Sequence, residues 1–310
     1  MSLTTNYQEE ILKQRQQLHM TVFAQCISPD GKYLLAGNSY GTIAVYSLNA
    51  ALSPDANEAA LKPIFTFKAY DGAIYALTTT EKFLISAGLG EIKAWNWSEI
   101  IKKDNVLYSG GGDNHMYAWD LETGTCTNTF QGHQDYIHSV ALFNQSQQIV
   151  SASEDGSVRI WDPRNEGEAV GILEPYKHEE CKRSQLGKWV SCVAVDSGDD
   201  WLVCGGGPSL SLWHLRSLSP TVTFDTPNTC PQIVTFHDSS IISGGNSASI
   251  DHWNINGDLK TRVPCTSSSV FSIVINTASQ HNRVLSAAGT SANIDIYTNF
   301  GYKAFSLQFC

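Results

Sequence analysis

The amino-acid sequence predicts an all-β protein that folds as a seven-bladed β-propeller with a short N-terminal helix. Seven runs of alternating apolar residues end in an aromatic residue, and each follows a second apolar run that ends in glycine, serine or alanine. The aromatic residues are Tyr46, Trp95, Trp119, Trp161, Trp213, Trp253 and Tyr297. Alternation at a period of two is typical of β-strands, and a strand–turn–strand unit repeated about every 40 to 45 residues is typical of propeller blades.

Each repeated unit has room for four strands. The small residues of the second run allow close packing and a tight turn into the aromatic strand. Further candidate strands lie upstream, such as YIHSVALF at residues 136–143 and KWVSCVAV at residues 188–195. With 310 residues, the chain exceeds the usual size of a single core unless it is built from such units.

The spacing of the aromatic residues has one exception. Five of the six intervals lie between 40 and 52 residues, but Trp95 and Trp119 are only 24 residues apart. About 20 more residues are needed for the outer strand of one blade and the inner strand of the next. The sequence therefore predicts a further segment between Asp104 and Asn105, absent from this chain, with these two residues far apart in space.

The two ends of the chain differ in character. Residues 1–18 predict an N-terminal helical extension, because Tyr7, Ile11 and Leu18 lie at roughly helical spacing among charged and amide residues. This helix either packs on the first blade or docks a partner. Residues 19–310 predict a single propeller, in which YKAFSLQF at residues 302–309 forms the last strand of the last blade.

The composition bears on the possible partners. The chain has 20 Lys plus Arg against 30 Asp plus Glu, and its formal charge of −10 repels a phosphate backbone. We therefore expect no direct nucleic-acid binding by this chain alone. No window approaches 18 uninterrupted apolar residues, so we expect no membrane span. The eight cysteines are scattered without a CxxC pair, which favours reduced and mostly buried thiols.

No sequence pattern favours an enzyme. The chain lacks paired carboxylates, a metal-ligand cluster, a nucleophile elbow and a cofactor fingerprint. The glycine runs 110–112 and 205–207 are not followed by the GK[ST] of a phosphate loop and are interpreted as blade turns. His178 and Cys181 have no second pair of ligands beside them, so a zinc site is not expected. We predict no catalytic residue, no metal and no cofactor.

One blade carries a recognisable polar pattern. Its sequence, GHQDYIHSVALFNQSQQIVSASEDGSVRIWD at residues 132–162, resembles the WD40 family. The resemblance implies a buried structural network of His133, Ser151, Asp155 and Trp161. Buried imidazole and indole groups need hydrogen-bond partners, which such a network supplies. A hydrolase triad is the alternative, but Ser151 lies within a strand and lacks the GxSxG elbow. The other blades lack parts of the pattern and are expected to rely on apolar packing.

Two surface segments are candidates for partner binding. Trp161, Asp162 and Arg164 form a Trp-Asp-x-Arg box, which resembles the box of propellers that dock onto the adaptor of cullin-4 ubiquitin ligases. The next blade has histidine in place of the aspartate. Long connections at residues 49–63 and 174–188 can carry recognition without disturbing the sheets. The second of these contains Lys177, His178, Glu179 and Glu180.

Several segments resemble a particular family of WD40 proteins, the sixth subunits of the THO complex. They include residues 18–48, YKHEEC at 176–181, and IDIYTNFGYKAFSLQF at 294–309. The resemblance implies a nuclear, non-enzymatic scaffold of the transcription-export assembly, which couples mRNA processing to export. Its implied partners are other THO subunits, especially the coiled-coil subunits five and seven. The competing hypothesis is a substrate receptor of a cullin-4 ligase, acting through Asp162 and Arg164.

Overall fold

A computed structural model describes residues 15, 16, 19–81, 83–96, 106–120, 125–165, 168–279 and 281–309. The strands in this part of the chain form seven antiparallel sheets. Within each sheet the strands follow one another in sequence order, from the first strand of the blade to its last. The seven sheets confirm the predicted fold class, an all-β, seven-bladed WD40 β-propeller.

The chain divides into two compact units. The first unit holds the first, second and seventh blades. Their strands are β1 (Val22–Ile27), β2 (Tyr33–Asn38), β3 (Thr42–Ser47) and β4 (Phe65–Lys68); β5 (Ile74–Thr79), β6 (Phe83–Gly88) and β7 (Ile92–Asn96); and β23 (Val270–Ile275), β24 (Val284–Gly289), β25 (Asn293–Thr298) and β26 (Tyr302–Gln308).

The second unit holds the third, fourth and fifth blades and most of the sixth. The third and fourth blades contain β8 (Val106–Gly110), β9 (Met116–Asp120) and β10 (Thr125–Phe130), then β11 (Ile137–Leu142), β12 (Ile149–Ser153), β13 (Val158–Trp161) and β14 (Gly171–Leu173). The fifth and sixth blades contain β15 (Val190–Val195), β16 (Trp201–Gly206), β17 (Ser211–His214) and β18 (Ser219–Thr223), then β19 (Pro231–His237), β20 (Ser240–Gly245), β21 (Ser249–Asn254) and β22 (Leu259–Pro264).

The aromatic residue of the third strand anchors each blade. Trp161, Trp213 and Trp253 are at most 1% exposed. A buried indole N–H needs an acceptor, and in four blades this is a serine of the second strand. The bonds are Trp95 to Ser86 (3.1 Å), Trp119 to Ser109 (2.9 Å), Trp161 to Ser151 (2.8 Å) and Trp253 to Ser243 (2.9 Å). The blades that lack parts of the histidine and aspartate pattern of the fourth blade still keep this serine. They therefore do not rely on apolar packing alone.

A second ring from the preceding blade covers most of these anchors. Phe67 packs edge-on against Trp95 with ring centroids 5.0 Å apart. Phe130 covers Trp161 at 5.8 Å, Phe224 covers Trp253 at 5.5 Å, and Phe309 covers Tyr46 at 6.5 Å. Edge-to-face rings attract beyond their burial of apolar area, so each contact joins neighbouring sheets.

The inner strands share an irregularity. Six of them contain a bulge at their second residue, where the register with the next strand shifts. A bulge re-aims the side chain of the extra residue. The bulge residues are Phe23, Tyr75, His138, Ser191, Gln232 and Phe271. In the first unit, the ring of Phe23 lies 5.6 Å from both the Tyr75 and the Phe271 rings.

The first and last blades of the chain meet within the first unit. The Tyr46 hydroxyl donates to the carbonyl of Gln308 at 3.2 Å, and the Gln25 side-chain amide donates to the carbonyl of Ser272 at 3.3 Å. Strand β26 pairs with β25. The last blade therefore takes all four of its strands from the C-terminal part of the chain, as the sequence predicts.

Helical structure is minor in the described residues. It comprises α1 (Leu48–Ala51) and 3-10 turns at Glu58–Leu61 and Pro175–Lys177. Arg15 and Gln16 are also helical. The residues on which two predictions depend lie outside the described part: Tyr7, Ile11 and Leu18 of the N-terminal helix, and Asp104 and Asn105 of the inferred gap. Both predictions stay predictions.

We expect Phe224→Ala to lower the free energy of unfolding by about 3 to 4 kcal/mol, because it uncovers Trp253 and leaves a cavity. Phe65→Ala is the matched control, since Phe65 is 54% exposed whereas Phe224 is 2% exposed. The control should cost less than about 1 kcal/mol. Urea unfolding followed by tryptophan fluorescence measures both, and equal losses would contradict the role assigned to the covering ring.

Candidate functional site

The fourth blade brings together the four residues of the predicted polar network. His133 Nδ1 lies 2.8 Å from Asp155 Oδ2, and His133 Nε2 lies 2.7 Å from Ser151 Oγ. The Trp161 indole also donates to Ser151 Oγ, at 2.8 Å. A neutral imidazole that donates from Nδ1 and accepts the serine hydroxyl at Nε2 satisfies every member of the network.

The aspartate of this network is held in its charged form. Burial alone would raise the pKa of Asp155, but hydrogen bonds from His133, from Ser157 and from the Gln134 amide outweigh it and hold the pKa far below its usual range. The His133 side chain is 0% exposed and that of Asp155 is 7% exposed. The carboxylate therefore ties the turn before β13 to the loop before β11.

The same geometry argues against a hydrolytic triad. Ser151 is fully buried in β12, and its hydroxyl oxygen already accepts the Trp161 indole N–H. A nucleophile must be reachable by a substrate carbonyl and free of competing hydrogen bonds. The arrangement can hold strands together but has no path to an acyl group.

Other polar anchors in the core were missed by the sequence reasoning. They lie two residues before the anchor aromatic, on the same side of the strand. Ser211 accepts the Trp213 indole at 2.8 Å. Asp251 receives two bonds from Arg262, at 2.7 and 2.9 Å, and Asp295 receives the Thr266 amide at 2.6 Å. The signal was present as SLW, IDHW and IDIY, in which a polar residue two positions before the aromatic repeats.

In the Trp-Asp-x-Arg box, Asp162 and Arg164 form an ion pair in which the arginine side chain stays exposed. Arg164 donates to Asp162 through Nε at 2.9 Å, through a terminal nitrogen at 2.7 Å and through its backbone amide at 3.0 Å. The Arg164 side-chain and backbone bonds lower the pKa of Asp162 to about 2. The Arg164 side chain is still 74% exposed. The guanidinium is therefore preoriented and open to a partner.

The corresponding arginine of the next blade is held less tightly. Arg216 is 83% exposed, and its nearest carboxylate oxygen, on Asp200, lies 3.9 Å away. His214 occupies the position of Asp162 and pairs instead with Trp201, at a ring separation of 5.1 Å. The aspartate at this position therefore determines whether the arginine side chain is held in one orientation.

The loop at residues 174–188 is anchored by buried side chains and exposes two glutamates, of which Glu179 pairs with Lys182 at 3.2 Å. His178 packs edge-on against Trp213 at 5.0 Å and 90°, where other blades use a phenylalanine. Cys181 is fully buried, and burial raises the pKa of its thiol to about 11, so it stays neutral. Glu179 is 85% exposed, and Glu180 is 55% exposed. His178 therefore supports the loop, while the two glutamates face solvent.

Arg183 fixes the same loop and was not singled out from the sequence. Its guanidinium donates to the backbone carbonyls of Gly207 at 2.8 Å, Thr229 at 2.8 Å and Pro208 at 3.1 Å. No residue pattern could predict this role, because carbonyl acceptors are present at every position.

An acidic pocket of about 280 Å³ lies beside the loop. It is lined by Glu180, Ser209, Thr223, Phe224, Asp225, Thr226 and Pro227.

The described part of the chain also bears on metal binding and membrane association. No cluster of three or more His, Cys, Asp or Glu residues there could hold a metal ion. The described helices are all too short or too polar to cross a membrane. Seven of the eight cysteines fall within the described residues, and five of these seven are buried.

Known proteins are similar to this chain over almost its whole length. The WD40 family, described as WD domain, G-beta repeat, matches residues 12–47 and 124–162. The chain is 45% identical to the THO complex subunit 6 homolog of Rattus norvegicus and to THO complex subunit 6 of Homo sapiens, in each case over 334 residues covering 97% of this chain and 96% of the relative. It is 30% identical to THO complex subunit 6 of Drosophila melanogaster, over 94% of this chain and 89% of that protein. These similarities confirm the resemblance drawn from the sequence.

We expect Asp155→Asn to lower the free energy of unfolding by about 2 kcal/mol at about pH 7, because it weakens charge-assisted hydrogen bonds. A carboxyl whose pKa is lowered by folding stabilises the protein above its unfolded pKa of about 4 and loses this effect as the pH falls towards the folded value. The difference between wild type and variant should therefore shrink below about pH 4.

Urea unfolding across that pH range measures the difference. Asp135→Asn serves as the control and should leave the profile unchanged, because the half-buried Asp135 lies in the same blade and its Oδ1 accepts only a local amide, that of Tyr136, which asparagine can also accept. A wild-type profile parallel to that of Asp155→Asn would contradict the role of the charged carboxylate.

Proposed function

The chain belongs to the THO complex subunit 6 family of WD40-repeat propellers, and from this membership we propose that it is a non-enzymatic scaffold subunit of the THO complex. In this role it supports assembly of the complex and couples mRNA processing to nuclear export. The observation that carries the proposal is the 45% identity over 97% of the chain. The proposed location is the nucleus.

The loop at residues 174–188 supports a role in protein binding. Its backbone is held by His178, Cys181 and Arg183, so little conformational entropy is lost when a partner docks. Glu179 and Glu180 present negative charge to solvent. We propose that basic segments of the coiled-coil subunits five and seven dock here, steered by the net charge of −10. The same charge leaves RNA contacts to other subunits.

The non-enzymatic assignment rests on where the described polar groups lie. The Ser–His–Asp set of the fourth blade is buried and serves strand packing. The exposed groups include the oriented Arg164 guanidinium and the Glu179 and Glu180 carboxylates of an anchored loop, and both are suited to recognition. A rigid stack of repeated sheets that displays loops is well matched to scaffolding.

We expect the tagged chain, purified from nuclear extract, to recover the other THO subunits, including subunits five and seven, by mass spectrometry. Absence of every THO subunit would overturn the proposal. The double variant Glu179→Lys with Glu180→Lys should reduce recovery of subunits five and seven by about fivefold or more, because like charges then face each other. Glu58→Lys, which reverses a charge in the other long loop, is the matched control and should recover wild-type amounts.

A second candidate function is that of a substrate receptor for a cullin-4 ubiquitin ligase. The observation that favours it is the exposed Arg164 guanidinium, preoriented by its two side-chain bonds to Asp162. A fixed guanidinium loses less entropy on binding than a free one.

We expect Arg164→Ala to leave recovery of the THO subunits unchanged if the scaffold function holds. Loss of the ligase adaptor from the same purification, with the THO subunits retained, would support the receptor function. Arg216→Ala is the matched control, since it removes an equally exposed arginine that lacks the aspartate. Comparable loss of adaptor from both variants would point to a general charge effect and reject the box.

A further inference from the structure

The hairpin that joins β17 to β18 in the fifth blade exposes two serine hydroxyls beside an arginine. Strand β17 ends at His214, and β18 begins at Ser219, which pairs with His214 across the hairpin. The Leu218 amide closes the turn by donating to the carbonyl of His214 at 2.9 Å. The turn therefore brings the chain at residue 219 back beside residue 214.

A chain of hydrogen bonds links the two serines to this histidine. The hydroxyl oxygens of Ser217 and Ser219 lie 2.7 Å apart, and Ser217 Oγ lies 3.2 Å from His214 Nδ1. Both serines are exposed. Because His214 occupies the place that Asp162 has in the fourth blade, Ser219 Oγ is only two hydrogen bonds away from that place.

The fourth blade shows what an anion at this place does. There Asp162 receives two side-chain bonds from Arg164, at 2.9 and 2.7 Å, and these fix the guanidinium. In the fifth blade Arg216 is 83% exposed, and a carboxylate oxygen of Asp200 lies 3.9 Å from it. The fifth blade thus keeps the arginine but has a histidine at the place of the aspartate. A phosphate attached to the hairpin would supply the anion.

The sequence and exposure of Ser219 suit a kinase substrate. Ser219 is followed by Pro220, the dipeptide that proline-directed protein kinases recognise. The other three such dipeptides of the chain begin at Ser28, Ser53 and Thr226. Two of these residues are at most 4% exposed and the third, Ser53, is half-buried, whereas Ser219 is exposed. Ser219 also begins the outermost strand of its sheet, so it is the most accessible of the four.

We propose that Ser219 is a phosphorylation site for a proline-directed serine/threonine kinase, and that its phosphate fixes the guanidinium of Arg216. In the reaction, Ser219 Oγ attacks the γ-phosphorus of a nucleoside triphosphate. The bond from that phosphorus to the β–γ bridging oxygen breaks, and the nucleoside diphosphate leaves with the electron pair. The hydroxyl proton of the serine passes to a carboxylate of the kinase. This site is independent of the partners proposed above.

A phosphate binds arginine at least as strongly as a carboxylate does. It carries a charge of about −1.5 to −2 at about pH 7 and three acceptor oxygens, and its bonds to a guanidinium are charge-assisted and often bidentate. Because the phosphate outbids the single distant oxygen of Asp200, Arg216 is drawn towards the hairpin. Phosphorylation thus gives the fifth blade an oriented arginine, in addition to Arg164 of the fourth.

Kinase treatment of the full chain tests the acceptor. We expect a purified cyclin-dependent kinase with ATP to add about one phosphate per chain, and peptide mass spectrometry to place it on Ser219. Ser219→Ala should lower incorporation by about tenfold or more. Thr221→Ala, at an exposed residue of the same strand that no proline follows, is the matched control and should incorporate wild-type amounts. Equal incorporation by wild type and Ser219→Ala, or none at Ser219, would overturn the proposal.

The side-chain Nε–H signals of the arginines, measured by NMR of the full chain, test the consequence. We expect phosphorylation to slow exchange of the Arg216 Nε proton with water by about tenfold or more, because the phosphate becomes its acceptor. The Arg164 Nε proton is the internal control and should be unchanged, since it already donates to Asp162. An unchanged rate at Arg216 in the phosphorylated chain, or equal slowing at both arginines, would contradict the role given to the phosphate.

Discussion

The structure depends on one repeated contact, the aromatic ring of the third strand held by a hydroxyl and covered by a ring from the preceding blade. The indole of Trp161 illustrates it, with Ser151 as acceptor and Phe130 as cover. The hydroxyl satisfies a donor that would be costly to bury alone, and the cover adds to the apolar packing between two neighbouring sheets. A blade is therefore stabilised partly by its neighbour, which is why repeated sheets of this kind are not stable singly.

The polar networks vary between blades while this contact persists. The fourth blade has the full set of His133, Ser151, Asp155 and Trp161, whereas the sixth and seventh use Asp251 and Asp295 with cations and hydroxyls from neighbouring strands. Each arrangement leaves its buried charge paired, which is the condition for burying it at all. The buried polar groups of the described blades thus hold strands together.

The loop at residues 174–188 illustrates how buried contacts can fix a surface segment. The loop is fully anchored, and its charged residues project from a fixed backbone, which favours selective docking.

The sequence by itself determined the number of blades and the strand that ends in each anchor. These follow from residue type and spacing along one segment, since alternation defines a strand and the aromatic residue marks its end. The members of the fourth blade's network were implied by the resemblance to WD40 blades, and its Ser151 lies diagonally across the hairpin from Trp161. The tertiary structure alone decided that His178 covers Trp213, that Arg183 binds carbonyls, and that the inner strands carry bulges at one level. These contacts join residues that are distant in the chain or involve backbone atoms, and neither the distance between such groups in space nor the direction of a carbonyl is encoded in a local pattern.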